Sequence, residues 1–157
     1  MIIDKNNFYD VLDGFKVLPN KLDEITEEKF KEIYSAKSSR KDKGIVYILR
    51  CERKISRLKG KSNIVYIGQT KGSFGARYSS SAKVQSTSKA NKLKFEYIVK
   101  NYGEISISLC AFNKFGQSLL KAEGQLLWWY FQNHCEYPPL NYTKTKVRND
   151  TIKIKNT

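Results

Sequence analysis

GIVYILRCERKISRLKGKSNIVYIGQT, residues 44 to 70, is the stretch on which the fold turns. It holds two β-prone runs, Gly44 to Leu49 and Ile64 to Gly68, each containing a tyrosine, joined by a basic connector. Side chains alternate across a strand, so Ile45, Tyr47 and Leu49 share one face of the first run. In the second run Ile64, Tyr66 and Gly68 share a face, while Val65 and Ile67 take the other. Paired as an antiparallel hairpin, the runs bring two phenols close together on one sheet surface. Six of the twelve connector residues from Arg50 to Lys61 are basic: Arg50, Arg53, Lys54, Arg57, Lys59 and Lys61. Their spacing predicts a short helix reaching along a duplex backbone; a solvated surface loop is the alternative.

Downstream, Lys71 to Tyr78 reads KGSFGARY, whose two glycines make a tight exit from the strand before a helix start. Residues 89 to 101 read as a helix with Ala90, Leu93, Tyr97 and Ile98 on its apolar side, ended by Gly103. Ile105 to Ala111 alternates as a half-buried third strand should. In the last helix, about 117 to 133, Leu119, Glu123, Leu126 and Tyr130 fall at i, i+4, i+7 and i+11. A lone carboxylate thus sits on the stripe expected to face the core. Burying it unpaired is costly, so Glu123 needs a cation, an arginine or a metal; a structural salt bridge would also serve. The helix stops at Tyr137-Pro138-Pro139, and Leu140-Asn141 follows.

Upstream, residues 1 to 43 form an N-terminal helical extension and linker. Pro19-Asn20 marks a turn. Thr26 is placed to cap a helix carrying Glu27 and Glu28 in its first turn and Phe30, Ile33 and Tyr34 on an apolar stripe. Ser35 to Lys43 is polar and reads as linker. Residues 143 to 157 read as a basic tail.

The 157 residues suffice for one domain with extensions. Charge is the dominant compositional signal, 29 Lys and Arg against 15 Asp and Glu. It is uneven: residues 1 to 40 carry 7 basic and 8 acidic side chains, and residues 41 to 157 carry 22 and 7. Such a basic module points to a polyanion partner, DNA phosphates above all, with solubility as the plainer explanation. The cysteines, Cys51, Cys110 and Cys135, are too scattered for a disulfide framework or a zinc knuckle. The single histidine, His134, excludes a site needing two imidazoles and is read as a residue near a helix end. The N-terminus does not read as a secretion signal, and no apolar run is long enough to span a membrane, so the expectation is a cytoplasmic protein without membrane partners.

Gly44-Ile45-Val46-Tyr47 followed by Tyr66-Ile67-Gly68 resembles the signature of the GIY-YIG nuclease family, with Val46 inserted in the first triplet. Arg77, 11 residues beyond Tyr66, matches the family's arginine, Glu123 its metal-binding glutamate, and Leu140-Asn141 its closing asparagine. These elements keep the family's order across residues 44 to 142, which the resemblance assigns to the nuclease domain. Ser81 departs from it, standing where many members have histidine, with Tyr78 or Lys83 as substitutes. The implied fold is α/β of the α+β kind, a small three-stranded, mostly antiparallel sheet flanked by helices.

The activity the resemblance implies is phosphodiester hydrolysis, which needs a deprotonated in-line water, charge neutralisation at the phosphate and help for the departing 3′ oxygen. Tyr47 is the expected general base, Tyr66 orients the water, Arg77 forks onto phosphate oxygens, and Glu123 holds one Mg²⁺. A phenol ordinarily titrates near about 10, so that role requires a cationic setting. Gly68, Lys71 and Asn141 support the site. Arg50, Arg53, Lys54, Arg57, Lys59, Lys61, Lys71 and Lys83 are the expected contacts to double-stranded DNA. The resemblance is strongest to type II restriction endonucleases, acting as a homodimer beside a companion DNA methyltransferase. A structure-specific or repair-type nickase and a non-cleaving nucleic-acid-binding module are the alternatives.

Overall fold

A computed structural model describes residues 2–78 and 89–142. In chain order the elements are α1 (Phe8–Asp13), β1 (Lys16–Val17), α2 (Glu27–Ser35), α3 (Lys37–Lys41), β2 (Ile45–Ser56), β3 (Lys61–Thr70), α4 (Phe74–Tyr78), α5 (Lys89–Tyr102), β4 (Ser106–Ala111) and α6 (Leu119–His134). Short 3₁₀ turns cover Phe112–Lys114 and Pro139–Tyr142.

The fold is α+β, but the antiparallel sheet has four strands in the order β1-β4-β2-β3, not the three expected. The extra strand is Lys16–Val17, paired with Leu109 and Ser108. Two residues just before Pro19 are too few to display an alternating pattern, which is why the sequence hid them. Their attachment is extended by Leu18 N–H donating to the Ile107 carbonyl at 2.8 Å and by the Leu22–Ile105 bridge. The N-terminal region is therefore built into the sheet. It also supplies Phe8, Leu12 and Phe15 to one core layer and Leu18, Leu22, Phe30, Ile33 and Tyr34 to the other.

Thr26 caps α2, its Oγ1 accepting from Lys29 N–H at 3.2 Å, and Phe30, Ile33 and Tyr34 are buried as their spacing predicts. The stretch read as linker holds α3 instead. Its Ser39 is buried because the hydroxyl donates to the Ile33 carbonyl, which satisfies a polar group inside the fold.

The basic connector is neither helix nor loose loop. β2 runs on to Ser56, β3 begins at Lys61, and Arg57 to Gly60 form the tip of one long hairpin. Its register slips between Leu49 and Arg50, because Leu49 faces Tyr66 while Arg50 faces Ile64 and Val65 is bulged out. That bulge overturns the expected alternation: Ile64 joins Ile67 on the second core layer, whereas Val65 joins Tyr66 on the first.

Two layers cover the sheet. On one face α2, α4 and α5 pack on Ile45, Tyr47 and Leu49; on the other, α1 and α6 pack on Val46, Ile48, Ile64 and Ile67. α5 is turned relative to expectation. Phe95 and Ile98 face the core, while Leu93 and Tyr97 are exposed.

The hairpin tip is clamped to the end of α6. Lys59 N–H donates to the His134 carbonyl at 3.1 Å, satisfying a last-turn acceptor that has no partner within the helix. Leu58 N–H donates to Glu136 Oε1, and Arg57 pairs with Glu136 while donating to the Tyr137 carbonyl. Beneath the clamp His134 is 4% exposed, and its Nδ1 lies 2.8 Å from the Lys59 carbonyl. A carbonyl only accepts, so Nδ1 carries the proton and Nε2 is left to accept from the Tyr9 hydroxyl. Tyr9 lies 2.6 Å from Ser62 Oγ, and burial pushes its pKa up to about 12 against the lowering effect of that hydroxyl. The Tyr130 ring lies against the imidazole, centroids 4.6 Å apart and planes tilted by 50°. Burial pushes the His134 pKa below its ordinary value, with Arg57 acting in the same direction and the Lys59 carbonyl opposing.

The fold thus favours the neutral imidazole. An unfolded histidine titrates near about 6.5, so this contribution to stability is complete above that pH and is lost as pH falls below it. The urea midpoint is expected to drop between pH 7 and pH 5, and to drop less in His134→Gln; equal drops in both proteins would exclude His134 as the source.

Candidate functional site

Of the residues predicted to form a site, Tyr47, Tyr66 and Gly68 pack together on β2 and β3, Asn141 bonds the outer edge of β3, Arg77 lies on α4, and Glu123 lies on α6 in the layer on the opposite face of the sheet. Tyr47 lies opposite Gly68 in the hairpin, and Leu49 lies opposite Tyr66, so both phenols project from one face. Their rings stack with centroids 5.9 Å apart and planes at 28°. Tyr47 is buried to 1% exposure, whereas Tyr66 is only partly buried. Gly68 lies beneath both. A Cβ there would stand 2.5 Å from Tyr47 Oη and 2.6 Å from Tyr66 Cε1, so the phenol pair requires glycine at this position.

Phe74 is the residue that motif reading missed. Its ring meets Tyr47 edge-on at 5.1 Å and 73°, and it also contacts Tyr34 at 5.7 Å. The signal was available, since Phe74 precedes Arg77 by three residues and so lies on the same side of a helical turn. Through Phe74, α4 is docked against Tyr47, with the exposed Arg77 one turn further on. Gly75 allows this docking, because a Cβ would collide with the Tyr34 carbonyl oxygen.

Asn141 closes the outer edge of β3. Its amide donates to the Ile67 carbonyl at 2.9 Å, and its Oδ1 accepts from Ile67 N–H at 3.1 Å. One side chain therefore satisfies both backbone groups that a further strand would otherwise take. Pro138 and Leu140, both buried, hold the turn that presents it.

Glu123 arrives from the other layer. The buried stripe of α6 is Ala122, Leu126, Tyr130 and His134, so Glu123 flanks the stripe, half-buried, and does not lie at its centre as expected. On the opposite flank Trp129 meets Phe8 and Phe115, both at 6.4 Å. Six residues at about 100° each separate Trp129 from Glu123 by roughly 120°, which turns the carboxylate away from α1. α6 itself packs chiefly over β3.

Among the described residues no group of three or more His, Cys, Asp and Glu side chains gathers. Glu123 offers the only carboxylate among the residues expected to act. A single partly exposed carboxylate suits Mg²⁺, which keeps most of its water shell, and does not suit zinc or a two-metal centre.

The expected DNA contacts divide into two groups. Arg50 pairs with Asp13 at 2.9 Å and donates to Asn63. Arg53 donates through two nitrogens to the Asn101 carbonyl. Arg57, its side chain 9% exposed, is held by Glu136 and Tyr137. These arginines are committed within the chain. Lys54, Lys59, Lys61 and Lys71 are exposed and form no ion pair among the described residues. Lys83 and Ser81 lie outside the described residues. No helix among the described residues is long and apolar enough to cross a membrane.

Compared with known proteins, the chain matches no family model, no curated protein and no solved structure. The functional reading therefore rests on its own residues.

Gly68→Ala must push apart Tyr47 and Tyr66 and is expected to cost about 1–3 kcal/mol, read as a lower denaturation midpoint with altered near-ultraviolet tyrosine dichroism. A variant as stable as the parent, with that spectrum unchanged, would show that the ring pair tolerates a methyl group.

Proposed function

We propose that the protein is a divalent-metal-dependent DNA endonuclease of the GIY-YIG kind, a phosphodiesterase acting on double-stranded DNA as a type II restriction enzyme. The observation that supports this most is the phenol pair: Tyr47 and Tyr66 stacked over Gly68, beside a strand edge sealed by Asn141 and a helix carrying Arg77. The net charge of +14 supports a polyanionic substrate.

In this reading Tyr47 takes the proton of the attacking water, and Tyr66, the more exposed of the two, orients that water. The two rings fix each other's direction, so neither hydroxyl is free to swing away from the phosphate. Arg77 binds two phosphate oxygens as a fork and neutralises charge as the bond to the 3′ oxygen breaks. Glu123 would hold a single Mg²⁺, which when bound supplies further charge neutralisation at the phosphate and the leaving oxygen. Lys54, Lys59 and Lys61 hold the duplex backbone along the hairpin. Each site cuts one strand, so cleavage of both strands at a palindrome calls for two copies of the chain related by a two-fold axis.

Incubation of plasmid DNA with Mg²⁺ is expected to give discrete bands, abolished by excess EDTA and by Glu123→Ala, with that variant still binding DNA. Cleavage surviving in EDTA would remove the metal from the mechanism, and intact plasmid with wild-type protein would remove the hydrolytic reading. Replacing Lys54, Lys59 and Lys61 together with Glu is expected to weaken duplex binding at least about 10-fold. It should also flatten the slope of log affinity against log salt by about 0.9 per lost phosphate contact. An unchanged slope would place the duplex elsewhere.

A further inference from the structure

α6 presents an outward face that no packing among the described residues explains. Lys121, Gly124 and Trp128 fall at i, i+3 and i+7, one strip of the helix opposite its buried stripe. Trp128 is 54% exposed, and its ring stacks on Phe131 with centroids 6.0 Å apart and planes at 9°. Phe131 in turn meets Tyr137 at 5.4 Å, so three aromatic rings continue in a row toward the hairpin tip.

Gly124 is the second observation. Glycine is the poorest helix former apart from proline, and a mid-helix glycine ordinarily answers to a close neighbour. Here a Cβ would meet nothing within 4 Å, so no contact among the described residues requires it. What it leaves is a flat stretch of helix beside an exposed indole, open to the close approach of another molecule.

The charge around this face selects the occupant. Lys121 lies at one end and Lys59, on the hairpin tip clamped to α6, at the other; both are exposed and neither makes an ion pair among the described residues. Glu136, the carboxylate at that tip, is taken by Arg57. A second copy of this chain would bring like charges together, which opposes self-association. A polyanion with flat, accessible rings meets both features, and a closed duplex hides its ring faces in its own stack.

We propose that the α6 face binds an unpaired strand of nucleic acid, a base stacking on Trp128 while Lys121 meets a flanking phosphate and Lys59, at the boundary with the duplex held along the hairpin, meets the phosphate where the strand leaves that duplex. The inference rests on the nuclease reading for the nature of the ligand. It adds a place for a single strand beside the duplex site, on the helix that carries Glu123.

The test is fluorescence anisotropy in EDTA, so that binding is read without cleavage, using labelled oligothymidylate and a labelled duplex of equal length. Trp128→Ala is expected to weaken oligothymidylate binding about 5- to 150-fold and duplex binding less than about 2-fold, with Trp128→Phe retaining most of the affinity. Equal oligothymidylate affinity for the wild type and Trp128→Ala overturns the inference and leaves the nuclease reading standing if plasmid is still cut. Unchanged affinity together with loss of a dimer in sedimentation velocity overturns it in favour of a contact between copies. A wild-type protein that binds neither oligothymidylate nor duplex overturns both readings.

Discussion

The close approach of the Tyr47 ring to the backbone of Gly68 is the constraint on which the arrangement depends. A hairpin pair normally sets two side chains against each other; here one member has none, and the phenol occupies the vacant space. Tyr66 then closes over the same spot, and Phe74 packs edge-on against Tyr47 from α4. The position of Arg77 follows from that of Phe74. A short helix of five residues has little stability of its own, so its orientation comes from this aromatic contact and from the contact of Gly75 with Tyr34.

Much of this was legible in the sequence, and the reasons differ by element. The two tyrosine runs read as strands because alternation and β-branched residues coincide there, and the strand around Ile107 alternates in the same way. The Thr26 cap and the apolar stripe of α2 obey local rules that tertiary contacts did not override. Local rules failed where long-range pairing decides. Lys16–Val17 becomes a strand only because β4 offers an open edge. The connector's helical spacing of cations lost to continuation of the hairpin, whose tip gains hydrogen bonds from the end of α6. One bulged residue, Val65, was enough to exchange the faces of Ile64 and Val65. Tyr47 and Tyr66 pack over Gly68, and Asn141 bonds the backbone of Ile67, which lies between Tyr66 and Gly68 in the same strand. Glu123 sits at the margin of its stripe, because α6 buries Ala122 and His134 in register with Leu126 and Tyr130.

His134 shows how much a single side chain can join without leaving a recognisable pattern. Its two ring nitrogens contact Tyr9 from the N-terminal helix and Lys59 from the hairpin tip, while its own carbonyl accepts from that same tip. Three regions distant in sequence therefore meet at one neutral imidazole. Composition offered a lone histidine close to a helix end; only the fold reveals what surrounds it.

The two-point bond from Asn141 to Ile67 bears on how copies of the chain can associate. An exposed outer strand ordinarily invites a neighbour's strand to pair with it, which is a ready route to aggregation. Here the carboxamide of one residue occupies that docking line in the middle of β3, and the opposite margin is a strand of two residues followed by Pro19. Among the described residues both margins are thus blunted, which disfavours growth of the sheet by strand addition and leaves the pairing of protomers to helices and side chains.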